Sequence, residues 1–194
     1  VYYPSATVLF TDFAGFTRIA SRMSPSELIR ELDFYFTAFD RIIEGLGLEK
    51  LKTIGDAYMA AGGIPHQLPE HALLTVHAAW QMRAFMNSVV AEKQQRGEPF
   101  WQIRIGINTG PLMAGVIGQK KFAYDIWGNT VNIASRMEST SEPGQINISQ
   151  STYELIKHAY RCSHRGKLYA KNAGEIDMYF VQGPDETAGE IEPS

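Results

Sequence analysis

The feature that most constrains the fold is a strict alternation of apolar and polar residues near the middle of the chain. It runs over residues 101–108, with apolar side chains at Trp101, Ile103, Ile105 and Ile107. A period of two is typical of an extended strand that buries one face and leaves the other more polar. The following Thr109-Gly110-Pro111 predicts a turn, after which residues 112–117 return as the antiparallel partner strand.

Signals for helices and hairpins occur on both sides of this strand. Ser24-Pro25-Ser26-Glu27 combines a capping box with proline at N1, so a helix is expected to begin there and to end near Gly45. Gly55-Asp56 predicts a hairpin over residues 48–63, and a second long helix is expected over about 69–96. The other predicted elements are strands at 6–10, 145–148 and 178–181 and short helices at 129–138 and 153–158. This order predicts an α+β fold, a ferredoxin-like sandwich with a mostly antiparallel sheet and helices packed on one face.

Length and charge limit the number of domains and the class of partner. At about 100–200 residues per domain, the 194 residues provide one domain, assigned to 1–183, and an acidic, mobile tail is expected at 184–194. The chain has 18 Lys and Arg against 21 Asp and Glu, a net charge of −3. This acidic balance disfavours binding to nucleic acid through bulk positive charge.

No apolar run reaches the ~18–20 residues that cross a bilayer, and the N-terminus does not read as a signal peptide. The single Cys162 excludes an internal disulfide, fits a reducing compartment and is expected to be a small buried hydrophobe. Because the first residue is Val1 rather than Met, we expect an excised piece whose upstream regulatory or membrane domain is missing. The expected location is the cytoplasm, either alone or as the cytosolic domain of a larger, membrane-anchored protein.

Two acids lie where the chain changes direction. Asp12 ends the first strand, and Asp56 lies in the turn of the predicted hairpin. In an α+β sheet these ends can meet, and two facing carboxylates form a hard-oxygen site for Mg²⁺ or Mn²⁺. The alternative to a metal site is that each Asp has only a structural role in its own loop, because a turn Asp commonly bonds its own backbone and a strand-end Asp commonly caps a loop. The loop Phe13-Ala14-Gly15-Phe16-Thr17 follows Asp12, and its glycine allows successive N–H groups to turn toward a phosphate.

Three motifs occur in order along the chain. They are FTDFAGFT at 10–17, KLKTIGDAYMAAGG at 50–63 and YDIWGNTVNIASRME at 124–138. Together, over roughly residues 5–183, they closely resemble the catalytic domain of class III nucleotidyl cyclases, the adenylate and guanylate cyclases. The resemblance implies an enzyme in which the ribose 3′-oxygen of a nucleoside triphosphate attacks the α-phosphate, giving a cyclic nucleotide and pyrophosphate.

The resemblance also implies a metal site. The positions that match the family's metal ligands are Asp12, Asp56 and the backbone carbonyl of Phe13, and the family pattern is two Mg²⁺ or Mn²⁺ ions per site. Two such ions lower the pKa of the ribose 3′-hydroxyl and neutralise charge on the α-phosphate and on the departing pyrophosphate. No protein nucleophile is then required.

Four further positions match groups that contact the ribose and the phosphates. By resemblance, Asn132 orients the ribose, and Arg136, which follows by four residues on the same helix face, stabilises the transition-state charge at the α-phosphate. Lys171, in the segment Ala170-Lys171-Asn172-Ala173-Gly174, matches a lysine that contacts the β- and γ-phosphates, although a second lysine of the family pattern is missing. Arg104 matches a phosphate-contacting arginine of some members.

The positions that match the base-reading residues are Lys52 and Asp125. Adenine presents an acceptor at N1 and a donor at N6, so an ammonium and a carboxylate are the complementary pair. Guanine reverses both, and guanylate cyclases of the family tend to carry an acid and a small or thiol residue at these positions. We therefore predict an adenylate cyclase with ATP as its substrate, and a guanylate cyclase is the alternative.

The sequence also gives an expected oligomeric state and two alternative functions. In the resembling family the metal half and the base-plus-arginine half lie on different protomers, so a homodimer with two active sites at its interface is expected. A catalytically silent, nucleotide-binding regulatory partner of another cyclase chain would be expected to lack a metal-binding acid or the arginine, and both are present. An RNA-binding module is disfavoured by the acidic balance and by the lack of paired aromatics on a central strand.

Overall fold

A computed structural model describes residues 1–187, which form a mixed sheet with helices packed against it. The strands are β1 (Tyr2–Ala14), β2 (Glu49–Ile54), β3 (Ala57–Gly62), β4 (Gln102–Ile117), β5 (Ala123–Trp127), β6 (Ile146–Ser149), β7 (Tyr160–Ala170) and β8 (Gly174–Pro184). The helices are α1 (Phe16–Ala20), α2 (Pro25–Gly45), α3 (His71–Gln95), α4 (Asn129–Ser139) and α5 (Gln150–Ile156). Of the tail predicted at 184–194, residues 188–194 lie outside the described residues.

The sheet has the strand order β2-β3-β1-β4-β6-β8-β7, and β5 pairs with β4. Its neighbouring strands are antiparallel except β4 and β6, which run parallel. The predicted α+β class with a mostly antiparallel sheet is therefore confirmed. Helix α2 begins at the expected capping box, in which Glu27 N donates to Ser24 Oγ and Ser24 N donates to Glu27 Oε2.

The predicted turn at 109–111 is wrong, because β4 continues through these residues without a break. Residues 109 and 110 pair with β1 in the same ladder that holds the rest of β4. Pro111 lacks a backbone N–H, and it lies opposite the point where the β1 register shifts between Tyr3 and Ala6. This bulge in the partner strand accommodates the proline. The chain turns at 118–122 instead, and the unpredicted strand β5 returns beside the end of β4.

Helices cover both faces of the sheet, whereas the sequence predicted one. Helices α2 and α3 pack on the face that carries the apolar residues of β4, in a cluster that includes Leu9, Phe13, Tyr35, Phe39, Val76, Ile105 and Ile107. Helix α4 packs on the opposite face over a smaller cluster that includes Val8, Phe10, Met59, Ile126 and Ala134. The alternation in β4 concealed this second layer, because the polar face of the strand is partly glycine.

Residues 160–170, a basic stretch in the sequence, form the edge strand β7. Cys162 on this strand is half-buried and packs against the larger apolar cluster, and burial raises the pKa of its thiol to about 11. Within residues 1–187, none of the helices combines the length and the apolar character needed to span a membrane.

Gly106 is the point where α4 rests on β4. A Cβ atom at this position would lie 1.9 Å from the backbone nitrogen of Glu138 and 2.4 Å from its Cα. Both atoms belong to the helix backbone, which cannot rotate away as a side chain does. Any side chain larger than hydrogen at residue 106 must therefore displace α4 from the sheet.

We predict that Gly106→Ala lowers the free energy of unfolding by about 3 kcal/mol, because overpacking against a rigid backbone is not relieved by rotamer changes. Gly45→Ala is the matched control. Its added methyl meets no atom within 4 Å, so its stability is expected to stay the same or to rise by up to about 1 kcal/mol. Urea denaturation measures both variants, and equal midpoints for Gly106→Ala and the unaltered chain would contradict the close contact.

Candidate active site

Asp12 and Arg104 form a paired group at one end of the sheet. They are directly opposite each other in the β1–β4 ladder, so both side chains project from the α4 face. Arg104 donates from Nε to Asp12 Oδ1 at 2.8 Å and from Nη2 to Asp12 Oδ2. Both oxygens of the Asp12 carboxylate are therefore engaged by one guanidinium.

Asp56 joins this group through the β2–β3 turn. Gly55 adopts a φ of 59° in the turn, a left-handed conformation that favours glycine, and Asp56 follows it directly. Asp56 Oδ2 accepts a hydrogen bond of 3.0 Å from the backbone nitrogen of Phe13, the residue after Asp12. The strand-end acid and the turn acid are thus brought together, with the Phe13 backbone between them. We call Asp12, Asp56, Phe13 and Arg104 the acidic group.

Glu138 is a third carboxylate beside the acidic group, and the sequence analysis missed it. Its side chain is only 12% exposed, and its Oε1 lies 3.7 Å from Arg104 Nη2. Burial, and then the neighbouring Asp12, raise the pKa of Glu138 above its ordinary value. A signal was available, because Val131, Ala134 and Glu138 share one face of α4 and an acid at the end of an otherwise apolar face is unusual.

The acidic group has the donor chemistry of a Mg²⁺ or Mn²⁺ site. Its oxygens are hard ligands, and carboxylates in excess of the single guanidinium leave a net negative charge for a cation to balance. Across residues 1–187, no set of three His, Cys, Asp or Glu side chains converges closely enough to hold an ion by itself. The ligands implied by the resemblance are Asp12, Asp56 and the Phe13 carbonyl, and Mg²⁺ commonly completes such a set with oxygens of water and phosphate.

The predicted phosphate loop is divided between the end of β1 and the start of α1. Gly15 has a φ of 68° and is the N-cap of α1, which begins at Phe16. The Phe16 ring packs on Trp101 with a centroid distance of 5.1 Å, and Thr17 is exposed in the first turn. Residues 13–17 therefore leave the strand end through a single left-handed glycine and not through an open loop.

Lys52 and Asp125 form an ion pair between β2 and β5. Lys52 Nζ donates to Asp125 Oδ2 at 2.6 Å, and Asp125 Oδ1 accepts from the backbone nitrogen of Ile126 at 2.9 Å. The side chains are 43% and 20% exposed, so both functional groups remain accessible from solvent. The structure thus brings together two residues that are far apart in the sequence. We call Lys52 and Asp125 the base pair group, because they are the pair of residues predicted to recognise the nucleotide base.

Arg136 and Asn132 are exposed on α4, and Arg136 contacts the β7–β8 hairpin. Its Nη1 donates to the backbone oxygen of Tyr169 at 2.6 Å. Lys171 lies two residues farther on, exposed in the turn of that hairpin, where Asn172 has a φ of 73°. Helix α4 and the hairpin therefore place Arg136 and Lys171 on the same side of the molecule.

The acidic group and the base pair group lie on the same face of the sheet. Lys52 is opposite Met59, and Met59 is opposite Phe10, whose side chain packs in the cluster beneath α4. Asp12 is two residues beyond Phe10 and so projects from the same face. Ordinary sheet spacings separate the Cα atoms of Lys52 and Asp12 by about 12 Å, with apolar side chains between them.

With this geometry established, comparison with known proteins assigns the family. The sequence matches the family described as Adenylate and Guanylate cyclase catalytic domain over residues 2–183. The chain belongs to this family. The resemblance carried by the three sequence motifs is therefore confirmed.

Relatives of this cyclase domain include proteins named adenylate cyclase and proteins named guanylate cyclase. It is 40% identical over 181 residues to an adenylate cyclase of Mycobacterium tuberculosis. The aligned region covers 93% of this chain and 40% of that protein. It is 36% identical over 191 residues to the human guanylate cyclase soluble subunit beta-2. This aligned region covers 97% of this chain and 30% of that protein. The crystal structure of the adenylyl cyclase CyaB from P. aeruginosa matches with a TM-score of 0.89 and 31% identity, covering 97% of this chain and 100% of that chain. The cyclase domain thus spans less than half the length of these two curated relatives.

We predict that Lys52→Met changes the free energy of unfolding of the cyclase domain by less than about 1 kcal/mol, because a partly exposed ion pair contributes little to stability. Chemical denaturation measures the change. Lys50→Met is the matched control on the same strand, where Lys50 Nζ donates to Asp40 at 3.0 Å. A loss from Lys52→Met that is much larger than the control's would show that the base pair group is structural.

Proposed function

We propose that this cyclase domain converts ATP to 3′,5′-cyclic AMP and pyrophosphate. The observation that carries the choice of nucleotide is the ion pair of 2.6 Å between Lys52 and Asp125, an ammonium and a carboxylate held side by side. An ammonium can donate to adenine N1, and a carboxylate can accept from the N6 amino group. Guanine would present a donor to the ammonium and an acceptor to the carboxylate, and each mismatch is unfavourable by about 1–3 kcal/mol.

Asp12, Asp56 and the Phe13 carbonyl would hold two Mg²⁺ or Mn²⁺ ions. Such ions supply activation of the ribose 3′-hydroxyl and neutralise charge on the phosphates. Asp56 is already oriented for this role, because the Phe13 backbone nitrogen fixes one of its oxygens at 3.0 Å. Both ligating elements thus converge without any movement of the sheet.

The remaining proposed roles belong to side chains that bind and orient the nucleotide. Arg136 stabilises charge at the α-phosphate, and Asn132 orients the ribose from the same exposed face of α4. Lys171 and Arg104 bind the outer phosphates, for which a guanidinium offers a planar pair of donors. The backbone around Gly15, Phe16 and Thr17 lies next to Asp12 and would border the triphosphate.

We further propose that two copies of the domain form each site, with the acidic group of one copy facing the base pair group of the other. Two features support a homodimer. Both groups lie on one face, so a twofold axis over that face would bring each group against its complement. The end of β4 and β5 also carries exposed apolar side chains, between 39% and 78% exposed, at Met113, Val116, Ile117, Phe122 and Trp127. Large apolar side chains exposed on two neighbouring strands are typical of an interaction surface.

For nucleotide selection, we predict that kcat/KM with Mn²⁺ is at least about tenfold higher for ATP than for GTP, because GTP mispairs with both groups. Lys52→Glu combined with Asp125→Cys should reduce or reverse this ratio. Lys50→Met, a charge change on the same strand away from the base pair group, should leave the ratio unchanged. Equal or faster turnover of GTP by the unaltered domain would favour the guanylate cyclase alternative.

For the shared site, we predict that Asp12→Ala and Arg136→Ala are each inactive and that an equal mixture recovers about a quarter of the original activity. Half of the randomly formed dimers are then mixed, and each mixed dimer has one intact site of two. The matched control is a mixture of Asp12→Ala with Asp56→Ala. Both variants damage the acidic group, so neither site of their mixed dimer is intact and no activity should return. Recovery in the control, or none in the first mixture while subunits exchange, would contradict the shared site.

A further inference from the structure

Glu138 is buried beside the acidic group, yet the proposed reaction gives it no role. Its Oε1 is buried and makes no hydrogen bond within residues 1–187. The nearest cationic group is Arg104, whose Nη2 lies 3.7 Å from this oxygen. This separation is short enough for an ion pair and too long for a hydrogen bond. Glu138 is therefore an unused acceptor next to a guanidinium that already has a partner.

That partner is the carboxylate proposed to bind the cation. Both oxygens of Asp12 accept hydrogen bonds from Arg104, so a divalent ion approaching Asp12 must compete with the guanidinium. The Arg104 side chain is only 28% exposed. A partly buried guanidinium that lost its carboxylate would be left as an uncompensated charge, which strongly opposes the exchange unless a second carboxylate is within reach.

The fold holds that second carboxylate in place. Glu138 lies at the end of α4, where the helix backbone rests against β4 at Gly106, so its backbone cannot move toward or away from the strand. Arg104 has a long side chain with several rotatable bonds. A shift of Nη2 by about 1 Å converts the present separation into a hydrogen bond to Glu138.

We propose that Glu138 is a positioning residue that accepts the guanidinium of Arg104 when a divalent cation binds Asp12. The proposal rests on the proposed function, because it requires the cation at Asp12. Arg104 then keeps a carboxyl oxygen as its partner in both states, Asp12 without the cation and Glu138 with it, and Asp12 is released to the metal. The N–H groups of Arg104 that do not face Glu138 remain available for a phosphate.

Mn²⁺ binding measures this exchange without a reaction. Free Mn²⁺ is followed by electron paramagnetic resonance in the presence of 2′,3′-dideoxy-ATP, which lacks the attacking hydroxyl. Glu138→Gln should weaken Mn²⁺ binding by at least about fivefold, because Arg104 has no second partner and stays on Asp12. In an Arg104→Gln background the competitor is absent, so the same substitution should change binding by less than about twofold. Glu142→Gln, an exposed control of equal charge change, should have no effect.

Each outcome of this double-mutant cycle is decisive. An equal weakening by Glu138→Gln in both backgrounds would show a simple loss of nearby negative charge, and no weakening in either would show no role, so both would overturn the inference. Absence of Mn²⁺ binding to the unaltered domain would overturn the proposed function together with it. Circular dichroism checks the fold of each variant, and if Glu138→Gln does not fold, Glu138→Asp is placed in the same cycle, where its shorter carboxylate should give the same dependence on Arg104.

Discussion

The contact of helix α4 with strand β4 at Gly106 is the constraint on which the arrangement of the site depends. It places the helix on the face of the sheet from which Asp12, Arg104 and Lys52 project. The outer side of α4 then carries Asn132 and Arg136, and its inner side carries Glu138. A single close approach between two backbones thus positions groups from distant parts of the chain within one surface.

Charge on this surface is arranged in two unlike groups. The acidic group holds more carboxylates than cations, and one guanidinium engages both oxygens of Asp12. The base pair group contains one ammonium and one carboxylate and is close to neutral. The first group suits divalent cations and phosphates, and the second suits a neutral base with one donor and one acceptor edge. Under the proposed function, this division matches the two ends of a nucleoside triphosphate.

Local signals in the sequence predicted the elements that local physics controls. The capping box at Ser24 and Glu27 and the hairpin around Gly55 and Asp56 depend on neighbouring residues and are found where expected. The continuous strand through Pro111 was missed because a bulge in β1, a distant segment, accommodates the proline. The second helical layer and the burial of Glu138 were missed for the same reason, since both arise from the fit of α4 onto Gly106. The meeting of Asp12 with Asp56 was anticipated from their positions at strand ends, whereas the Arg104 contact required the register of the ladder.

The central claim is that one nucleotide spans the acidic group of one copy and the base pair group of another. A crystal structure of the domain with Mn²⁺ and an ATP analogue that lacks the 3′-hydroxyl tests it most directly, because anomalous scattering locates the ions independently of the nucleotide. The account predicts Mn²⁺ between Asp12 and Asp56 of one copy and adenine against Lys52 and Asp125 of the second. Ions located elsewhere, or triphosphate and base held by the two groups of a single copy, would contradict it.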